Sequence, residues 1–327
     1  MTPEPAPSKA GPAPVKRPVK LPVKRLLVVL GVVATAYAAA LLIWGDGAKS
    51  SWTVLWSWTG LQAGALCLFS YLLRGVRWRL WMAHYGRQFG WLEGLRLYLV
   101  GYSFTPTPGN IGEAMRGLML ARNPLGPGQS LAIFGAERLA DLLCLLLLCL
   151  PALGWLLGLG VIRDAMRAAP NLLLGVLALG ALLILVLFGL LLRYRAQLLQ
   201  RFVWLKEVWQ CLAVRPLIWF GLTLSAWAAQ GLAVWLICSA LALDLPVLAA
   251  SAFYAVAMVV GALSALPAGL GGTEAVLAGL LVAQGATPAA ALSITLLTRL
   301  LTLWLAVAIG LLALLYSAAI RKDISLS

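Results

Sequence analysis

Residues 105–113 read Thr-Pro-Thr-Pro-Gly-Asn-Ile-Gly-Glu, and residues 266–274 read Leu-Pro-Ala-Gly-Leu-Gly-Gly-Thr-Glu. Each stretch interrupts an apolar segment, 91–121 in the first case and 247–284 in the second. Because proline and glycine end helices, each segment is predicted to form two helical arms joined by a break. The first segment's arms hold about 11 to 13 residues, or roughly 16 to 20 Å, against a bilayer core of about 30 Å. Neither arm can cross alone, so the two form either one kinked span or a re-entrant hairpin.

The composition around these breaks is that of a membrane protein. Of the 327 residues, 62% are hydrophobic and 11% are charged, with a mean hydropathy of +0.93. Soluble domains are far less apolar, and runs of roughly 20 apolar residues match a bilayer. The sequence therefore predicts an all-α, polytopic integral membrane protein with about six full transmembrane helices and two re-entrant helical hairpins. The six uninterrupted runs are 26–44, 52–73, 130–150, 171–192, 217–243 and 289–319.

The ends of the chain flank one membrane domain. Residues 1–25 hold seven prolines and six lysines or arginines, which predicts a disordered basic tail rather than a cleaved signal peptide. Residues 26–320 form the predicted transmembrane domain, and 321–327 form a short second tail. Five cysteines without a CxxC pair and a single histidine predict neither a disulfide framework nor a metal site, and no cofactor is expected.

The distribution of positive charge chooses between a kinked span and a hairpin. With a hairpin at 91–121, one side of the membrane collects twenty Lys and Arg residues and the other side three. A full crossing there would move the five cations of 193–215 outside, against the positive-inside rule. We therefore expect the first hairpin to enter from the cytoplasm of a bacterial inner membrane, with both termini cytoplasmic. The second is expected to enter from the opposite face, although 247–266 alone is long enough to leave a full crossing open.

The net charge of +14 is explained by an interaction of the lysines and arginines with anionic lipid. Nucleic acid is not an expected partner, because no soluble basic module carries base-stacking aromatic residues. Arg74, Arg77 and Arg79 are expected in a loop at the cytoplasmic interface. They are interpreted there as topogenic charges or, alternatively, as contacts to lipid phosphates.

A shift of 161 residues superimposes the two broken segments without a gap. Glu113 meets Glu274 and Arg138 meets Arg299, so a glutamate and an arginine lie 25 residues apart in both copies. Such matches are informative because few charged residues occur in these regions. Since the two hairpins are expected to enter from opposite faces, the copies, at about 91–150 and 247–319, are predicted to form an inverted repeat. Further matches are Pro106 with Pro267, Ala114 with Ala275, Pro127 with Pro288 and Leu139 with Leu300.

Charged residues inside the predicted membrane domain are the candidate site residues. One unpaired charge at a helix centre costs about 2.5 to 3.5 kcal/mol on insertion, so each is expected to be paired or hydrated. Two interpretations stay open. The first is Glu–Arg ion pairs that hold hairpin to span, either within a copy or crosswise between the copies, and the second is a polar cavity that binds a headgroup near half-helix N-termini. The candidate substrate-binding residues are Glu113, Arg116, Glu137, Arg138, Asp141, Glu274 and Arg299, with Pro108, Gly109, Gly112, Gly269, Gly271 and Gly272.

Glu137 and Asp141 form a carboxylate pair at i, i+4 spacing on one predicted helix. Two carboxylates on one face need a cation, for which Arg138 and Arg116 are the candidates. A general acid–base pair is the enzymatic alternative.

Taken in chain order, these motifs resemble one known family. They are Arg77-Trp78, then Pro108-Gly109-Asn110-Ile111-Gly112-Glu113 with Arg116, then Glu137-Arg138-Leu139-Ala140-Asp141, then Pro267 to Glu274, and Arg299. In this order and spacing they resemble the lysylphosphatidylglycerol synthase transmembrane-region family, also called flippase-like domain proteins, over about residues 25–320. One departure is Pro267-Ala268, where the family pattern has Pro-Gly.

The resemblance implies lipid handling. In multiple peptide resistance factors, the membrane part is held to translocate aminoacylated phosphatidylglycerol, while a separate soluble domain transfers the aminoacyl group. Residues 321–327 leave no room for such a domain, so we expect a flippase-like protein without enzymatic activity. The expected partners are membrane lipids with an anionic, aminoacylated or glycolipid headgroup, and a lipid-synthesis enzyme. The alternatives are a membrane enzyme or accessory subunit in lipid or lipid-linked glycan synthesis, and a scaffold that transports nothing.

Overall fold

A computed structural model describes residues 53–120, 124–158, 203–264 and 266–320, together with the single positions Thr35 and Arg193. Within these ranges the chain is helical and contains no β-strand. The predicted tails lie outside the described residues, as do the runs 26–44 and 171–192 apart from Thr35.

The described α-helices differ widely in length. The longest has 32 residues, and the shortest is a single turn. In chain order they are α1 (Trp58–His84), α2 (Trp91–Val100), α3 (Met115–Leu118), α4 (Pro127–Gly158), α5 (Val203–Ala213), α6 (Pro216–Ala240), α7 (Val247–Leu263), α8 (Gly272–Ala283), α9 (Pro288–Arg299) and α10 (Leu305–Ile320). Short 3-10 turns cover Gly101–Phe104, Pro108–Ala114 and Pro267–Gly269, and a π-helical turn, Leu300–Trp304, joins α9 to α10.

Four of the six predicted spans coincide with long helices: α1, α4, α6 and the continuous rod from α9 to α10. Among the described residues, two helices are long and apolar enough to cross a membrane, Pro216–Ala240 and Pro288–Ile320, with mean hydropathies of 1.5 and 2.3. The number of crossings therefore stays a prediction.

The first long helix differs from its predicted span, 52–73. It continues to His84, so Arg74 and Arg77 lie within α1 rather than in a cytoplasmic loop, and both are buried. The loop prediction was wrong because it ended the helix at the first cation, whereas these guanidinium groups find polar partners inside the fold. Arg116 is also buried. Removing these three from the charge count leaves seventeen cations against three, so the bias remains.

The first broken segment has one helical arm instead of two. α2 holds ten residues, about 15 Å of helix, and the turn Gly101–Phe104 extends it. The predicted second arm is instead the 3-10 turn Pro108–Ala114 followed by the single turn α3. The chain then folds back, and Leu125 N–H donates to the Gly117 carbonyl at 2.9 Å.

The second broken segment has a helix on each side of its break. α7 has 17 residues, about 25 Å, and α8 has 12, about 18 Å. Between them Ala268, Gly269 and Gly271 have φ angles of 54°, 68° and 85°. Gly271 corresponds to Asn110 under the 161-residue shift, and Asn110 also has a positive φ, 56°. The two breaks thus share a left-handed residue three positions before the glutamate.

Packing brings the two breaks together. α1 packs along α6, while α7 contacts α4, α6 and α8. α10 packs against α2 and the turn that follows it. The turn Pro108–Ala114 directly contacts the turn Pro267–Gly269. The two Pro/Gly-rich interruptions therefore meet inside the helical assembly.

Candidate functional site

Glu113 is the centre of the first ion-pair network. Its Oε1 accepts a hydrogen bond from Thr105 Oγ1 at 2.8 Å, and its Oε2 accepts one from Arg116 Nη2 at 2.6 Å. Arg138 Nη2 lies 3.4 Å from the same Oε2 atom. Because the carboxylate is buried, these donors replace the water that it would otherwise bind.

Arg116 connects Glu113 to α4. Its Nη1 donates to Glu137 at 3.1 and 3.2 Å from the two carboxylate oxygens. The guanidinium carbon lies 4.4 Å from the centre of the Tyr98 ring, which adds a cation–π contact. Of the two candidate cations for the Glu137–Asp141 pair, Arg116 is the one that binds Glu137. Arg116 therefore bridges two carboxylates.

Asp141 has a partner that the sequence did not suggest. Its Oδ1 accepts from Arg77 Nη1 at 2.7 Å and from Trp227 Nε1 at 3.2 Å. Arg77 also donates to Thr223 Oγ1 at 2.9 Å. Arg138, one of the two expected cations, is more distant, 3.4 Å from Oδ2. The ion pair with Arg77 joins α1, α4 and α6.

The second copy has a simpler ion pair. Arg299 Nε donates to Glu274 Oε1 at 2.7 Å, and Arg299 Nη2 donates to the Ala268 carbonyl at 2.7 Å. Glu274 Oε2 accepts from the Gly271 N–H at 2.7 Å, which caps the start of α8. Ala268 thus has a left-handed conformation, and its own carbonyl accepts a hydrogen bond from Arg299.

A fifth arginine, Arg74, has no carboxylate partner among the described residues. Its Nη2 donates to Gln230 Oε1 at 3.2 Å, and Tyr254 donates to the same oxygen at 3.2 Å. The guanidinium carbon of Arg74 lies 4.1 Å from the centre of a Trp227 ring. Its side chain is therefore held by neutral groups.

Two adjoining cavities lie where these groups meet. The first, here called the polar chamber, has a volume of about 80 Å³. The second, the apolar groove, has about 300 Å³ and is lined by residues that include Leu142, Leu145, Val259, Leu263 and Leu266. The chamber is lined by side chains from both breaks and the central helices, among them Tyr71, Arg74, Tyr98, Tyr102, Glu113, Arg138, Tyr254 and Arg299. The two cavities share Asn110, Arg138, Trp227, Met258 and Ala268.

The π-helical turn forms part of the chamber wall. A π turn disturbs the regular bonding of an α-helix, and such turns are frequent at functional sites. Here Tyr71 Oη donates to the Leu301 carbonyl at 2.8 Å, and the Thr302 carbonyl lies 3.2 Å away. Thr302 and Leu303 of the same turn line the chamber.

The structure brings the charged candidates of each copy together. Glu113 lies near Arg138, and Glu274 binds Arg299, so each glutamate meets the arginine 25 residues further along the chain. The crosswise pairing between copies is absent from the described ion pairs. Among the candidate glycines, Gly269 borders the groove, Gly271 and Gly272 begin α8, and Gly112 packs on Phe104. Pro108 and Gly109 lie in the 3-10 turn. Their substrate-binding role stays a prediction.

Several chamber residues were not predicted. Arg74 was interpreted as an interfacial charge, although its spacing from Arg77 places both on one face of a continued helix. Gln230 offered a signal, because it is a polar residue in the middle of the apolar run 217–243. Tyr254 and Trp227 gave none, because aromatic residues are ordinary core residues. Within the described residues, no group of three or more His, Cys, Asp or Glu is arranged to hold a metal ion.

Residues 28–310 match the family described as "Lysylphosphatidylglycerol synthase TM region". The chain belongs to this family. This match confirms the family resemblance that the sequence motifs indicated. A member of this transmembrane-region family is a membrane protein that takes part in lipid-related processes. No curated protein matches the chain.

Proposed function

We propose that this chain translocates a lipid across the membrane, with the headgroup passing through the polar chamber and the acyl chains remaining in the apolar groove and the bilayer. The observation that carries the proposal is the junction of the two cavities at the contact between the helix breaks. Arg74, Arg138 and Arg299 offer positive charge to a headgroup. The leucines of the groove offer an apolar surface to a chain.

The proposal includes a topology. Six full spans and two re-entrant hairpins form an inverted repeat, with both termini in the cytoplasm of a bacterial inner membrane. The excess of cations on one predicted side supports this orientation. The contact between the breaks and their shared left-handed residues support the repeat. In transporters of this design, alternating access opens a central site to each face in turn.

Arg138 is the residue that moves with the headgroup in this proposal. Its Nη2 lies 3.4 Å from both Glu113 and Asp141, and its side chain is 37% exposed. Glu113 keeps Arg116 and Thr105 as donors when Arg138 leaves, and Asp141 keeps Arg77. Arg138 can therefore bind a phosphate without leaving a buried carboxylate unpaired. The sequence contains no GxxxxGK[ST] motif, so we propose passive movement or coupling to an ion gradient or a partner protein.

An enzymatic role for Glu137 and Asp141 is the less favoured alternative. Glu137 binds Arg116 through both oxygens, and Asp141 binds Arg77 at 2.7 Å. Both carboxylates are therefore engaged in buried ion pairs, which favours a structural role over acid–base chemistry. A Glu137→Gln protein that translocates lipid normally and loses a product would favour the enzyme. A purified protein that retains no lipid would favour the scaffold.

Reconstitution into liposomes tests the proposal. We expect wild-type protein to move labelled phosphatidylglycerol between leaflets faster than empty liposomes do. Arg138→Gln should slow this movement about tenfold, because a charge-assisted hydrogen bond contributes about 1.5 to 3 kcal/mol. Lys206→Gln is the matched control, since Lys206 is an exposed cation outside both cavities, and it should keep the wild-type rate. Wild-type rates equal to empty liposomes for phosphatidylglycerol, aminoacylated lipid and glycolipid alike would overturn the proposal.

A further inference from the structure

We infer that the polar chamber selects a small headgroup with one net negative charge, a phosphodiester, over aminoacylated and uncharged glycosylated headgroups. The inference rests on the proposed function, since it names the class of lipid that the same site takes. The inference follows from the positive charge near the chamber that has no carboxylate partner among the described residues.

The charges around the chamber do not cancel among the described residues. There, five arginines and four carboxylates form the networks, which leaves one positive charge in excess. A buried unpaired charge is costly, so a ligand that supplies one negative charge is favoured. The arginines are Arg74, Arg77, Arg116, Arg138 and Arg299, and the carboxylates are Glu113, Glu137, Asp141 and Glu274.

Arg74 accounts for this excess. It lines the chamber and is 9% exposed, and its only described hydrogen bond is to the neutral Gln230. Its Nε is buried without a hydrogen-bond partner among the described residues. For Arg299 Nη1, also at the chamber, the partner among the described residues is the thioether of Met258 at 3.9 Å. A phosphodiester has oxygens that can accept from both guanidinium groups.

Among the described residues, the carboxylate that lines the chamber, Glu113, leaves no place for an ammonium group, because both of its oxygens accept hydrogen bonds. Both oxygens of Glu274 accept hydrogen bonds as well, and Glu137 is held by Arg116. Asp141 binds Arg77 through Oδ1, and its Oδ2 has no hydrogen-bond partner among the described residues, but Asp141 lines the groove and not the chamber. An aminoacylated headgroup would bring its cation beside Arg74 and Arg299 without a free acidic partner. Like charges at close range disfavour that lipid.

The two volumes fit a lipid with a small headgroup. The chamber has about 80 Å³ and the groove about 300 Å³, so the site has more room for chain than for headgroup. An uncharged glycan would leave the excess positive charge of the site unmatched, so charge disfavours a glycolipid. The continuity with the groove also favours a lipid phosphate over a free phosphate.

Binding and transport are tested separately. In detergent, we expect short-chain phosphatidylglycerol to raise the melting temperature of the protein more than equal concentrations of lysyl-phosphatidylglycerol or an uncharged glycolipid. The deacylated headgroup glycerophosphoglycerol should give a smaller rise, because it does not fill the groove. An equal rise with the deacylated headgroup would overturn the assignment to a lipid.

In liposomes, phosphatidylglycerol should move about tenfold faster than lysyl-phosphatidylglycerol, as expected for one charge-assisted contact. Gln230→Glu should reduce this ratio towards one, because the new carboxylate keeps the acceptor for Arg74 and supplies the missing negative charge. Arg74→Gln should also reduce it, and Arg74→Lys should largely preserve it. Lys206→Gln is again the control.

The outcomes separate the two proposals. Selective binding of phosphatidylglycerol without any transport would contradict the proposed function and leave the charge assignment standing. Transport without preference, or with preference for lysyl-phosphatidylglycerol, would overturn the charge assignment and leave translocation standing. An unchanged wild-type ratio in the folded Gln230→Glu protein would also overturn it.

Discussion

Arg77 and Asp141 show how ionisable side chains are stabilised inside this fold: each has an oppositely charged partner and a hydrogen bond with a neighbouring side chain. The pair is buried, 2.7 Å apart, and Thr223 and Trp227 supply further hydrogen bonds. Removing one partner of a buried pair costs about 3 to 5 kcal/mol, because the other charge is left uncompensated. The pair therefore contributes to stability, whereas Arg74 and Arg138, which have more distant or neutral partners, are the residues proposed to bind the ligand.

Ala268 gives a prediction at the residue scale. Its φ of 54° is unfavourable for a residue with a Cβ by roughly 1–2 kcal/mol, and the family pattern has glycine there. Ala268→Gly should raise the melting temperature in detergent while retaining the carbonyl that binds Arg299. Ala275→Gly, at an ordinary helical position in α8, should lower it, since glycine costs about 1 kcal/mol in a helix. A lower melting temperature for Ala268→Gly would show that its conformation carries no strain.

The sequence predicts some of these residues and not others for a physical reason. Glu113 with Arg138 and Glu274 with Arg299 could be found because charges are rare in apolar segments and their spacing recurs. Arg74 and Arg77 were missed because a cation just past an apolar run also satisfies the positive-inside rule. Whether such a cation is solvated or buried depends on Gln230 and Asp141, which lie far away in sequence.

At the scale of elements, the breaks were predictable and their internal structure was not. Proline and glycine end helices wherever they cluster, so both interruptions follow from composition. The single turn α3 in place of a full arm depends on tertiary contacts such as Arg116 with Glu137. The π turn that accepts the Tyr71 hydroxyl gave no sequence signal.

Gly112 gives a prediction for the first break as an element. A Cβ there would lie 2.7 Å from Phe104 Cβ and 2.8 Å from the Phe104 carbonyl oxygen. Gly112→Ala should therefore destabilise the protein by about 1 to 3 kcal/mol through overpacking, and should slow transport by displacing Glu113. Gly279→Ala is the matched control, because a Cβ at that helical position meets nothing within 4 Å and should be neutral or stabilising. Equal unfolding free energies for the two variants would contradict the close packing of the break.

At the scale of the whole molecule, the two copies are alike in layout and unequal in charge. α4 and α9 both begin at a proline, Pro127 and Pro288, and each carries the arginine that meets the glutamate of its own break. In the first copy a second arginine, Arg116, binds the glutamate of the break, and its counterpart in the second copy is Leu277. Because Arg116 also binds Glu113, Arg138 is not needed as the partner of that glutamate. Arg299, in contrast, binds both Glu274 and the Ala268 carbonyl. The two sequence copies thus differ in the charges that surround their equivalent Glu–Arg pairs.

Reversible crosslinking of the two breaks tests the central claim most directly. Asn110→Cys and Ala268→Cys, in a protein whose five native cysteines are replaced, place thiols on opposite breaks at the wall that the chamber and the groove share. Joining them with a short reducible crosslinker should stop movement of labelled phosphatidylglycerol in liposomes, and reduction should restore it, because the headgroup path lies between the breaks. Undiminished transport by fully crosslinked protein would contradict the account.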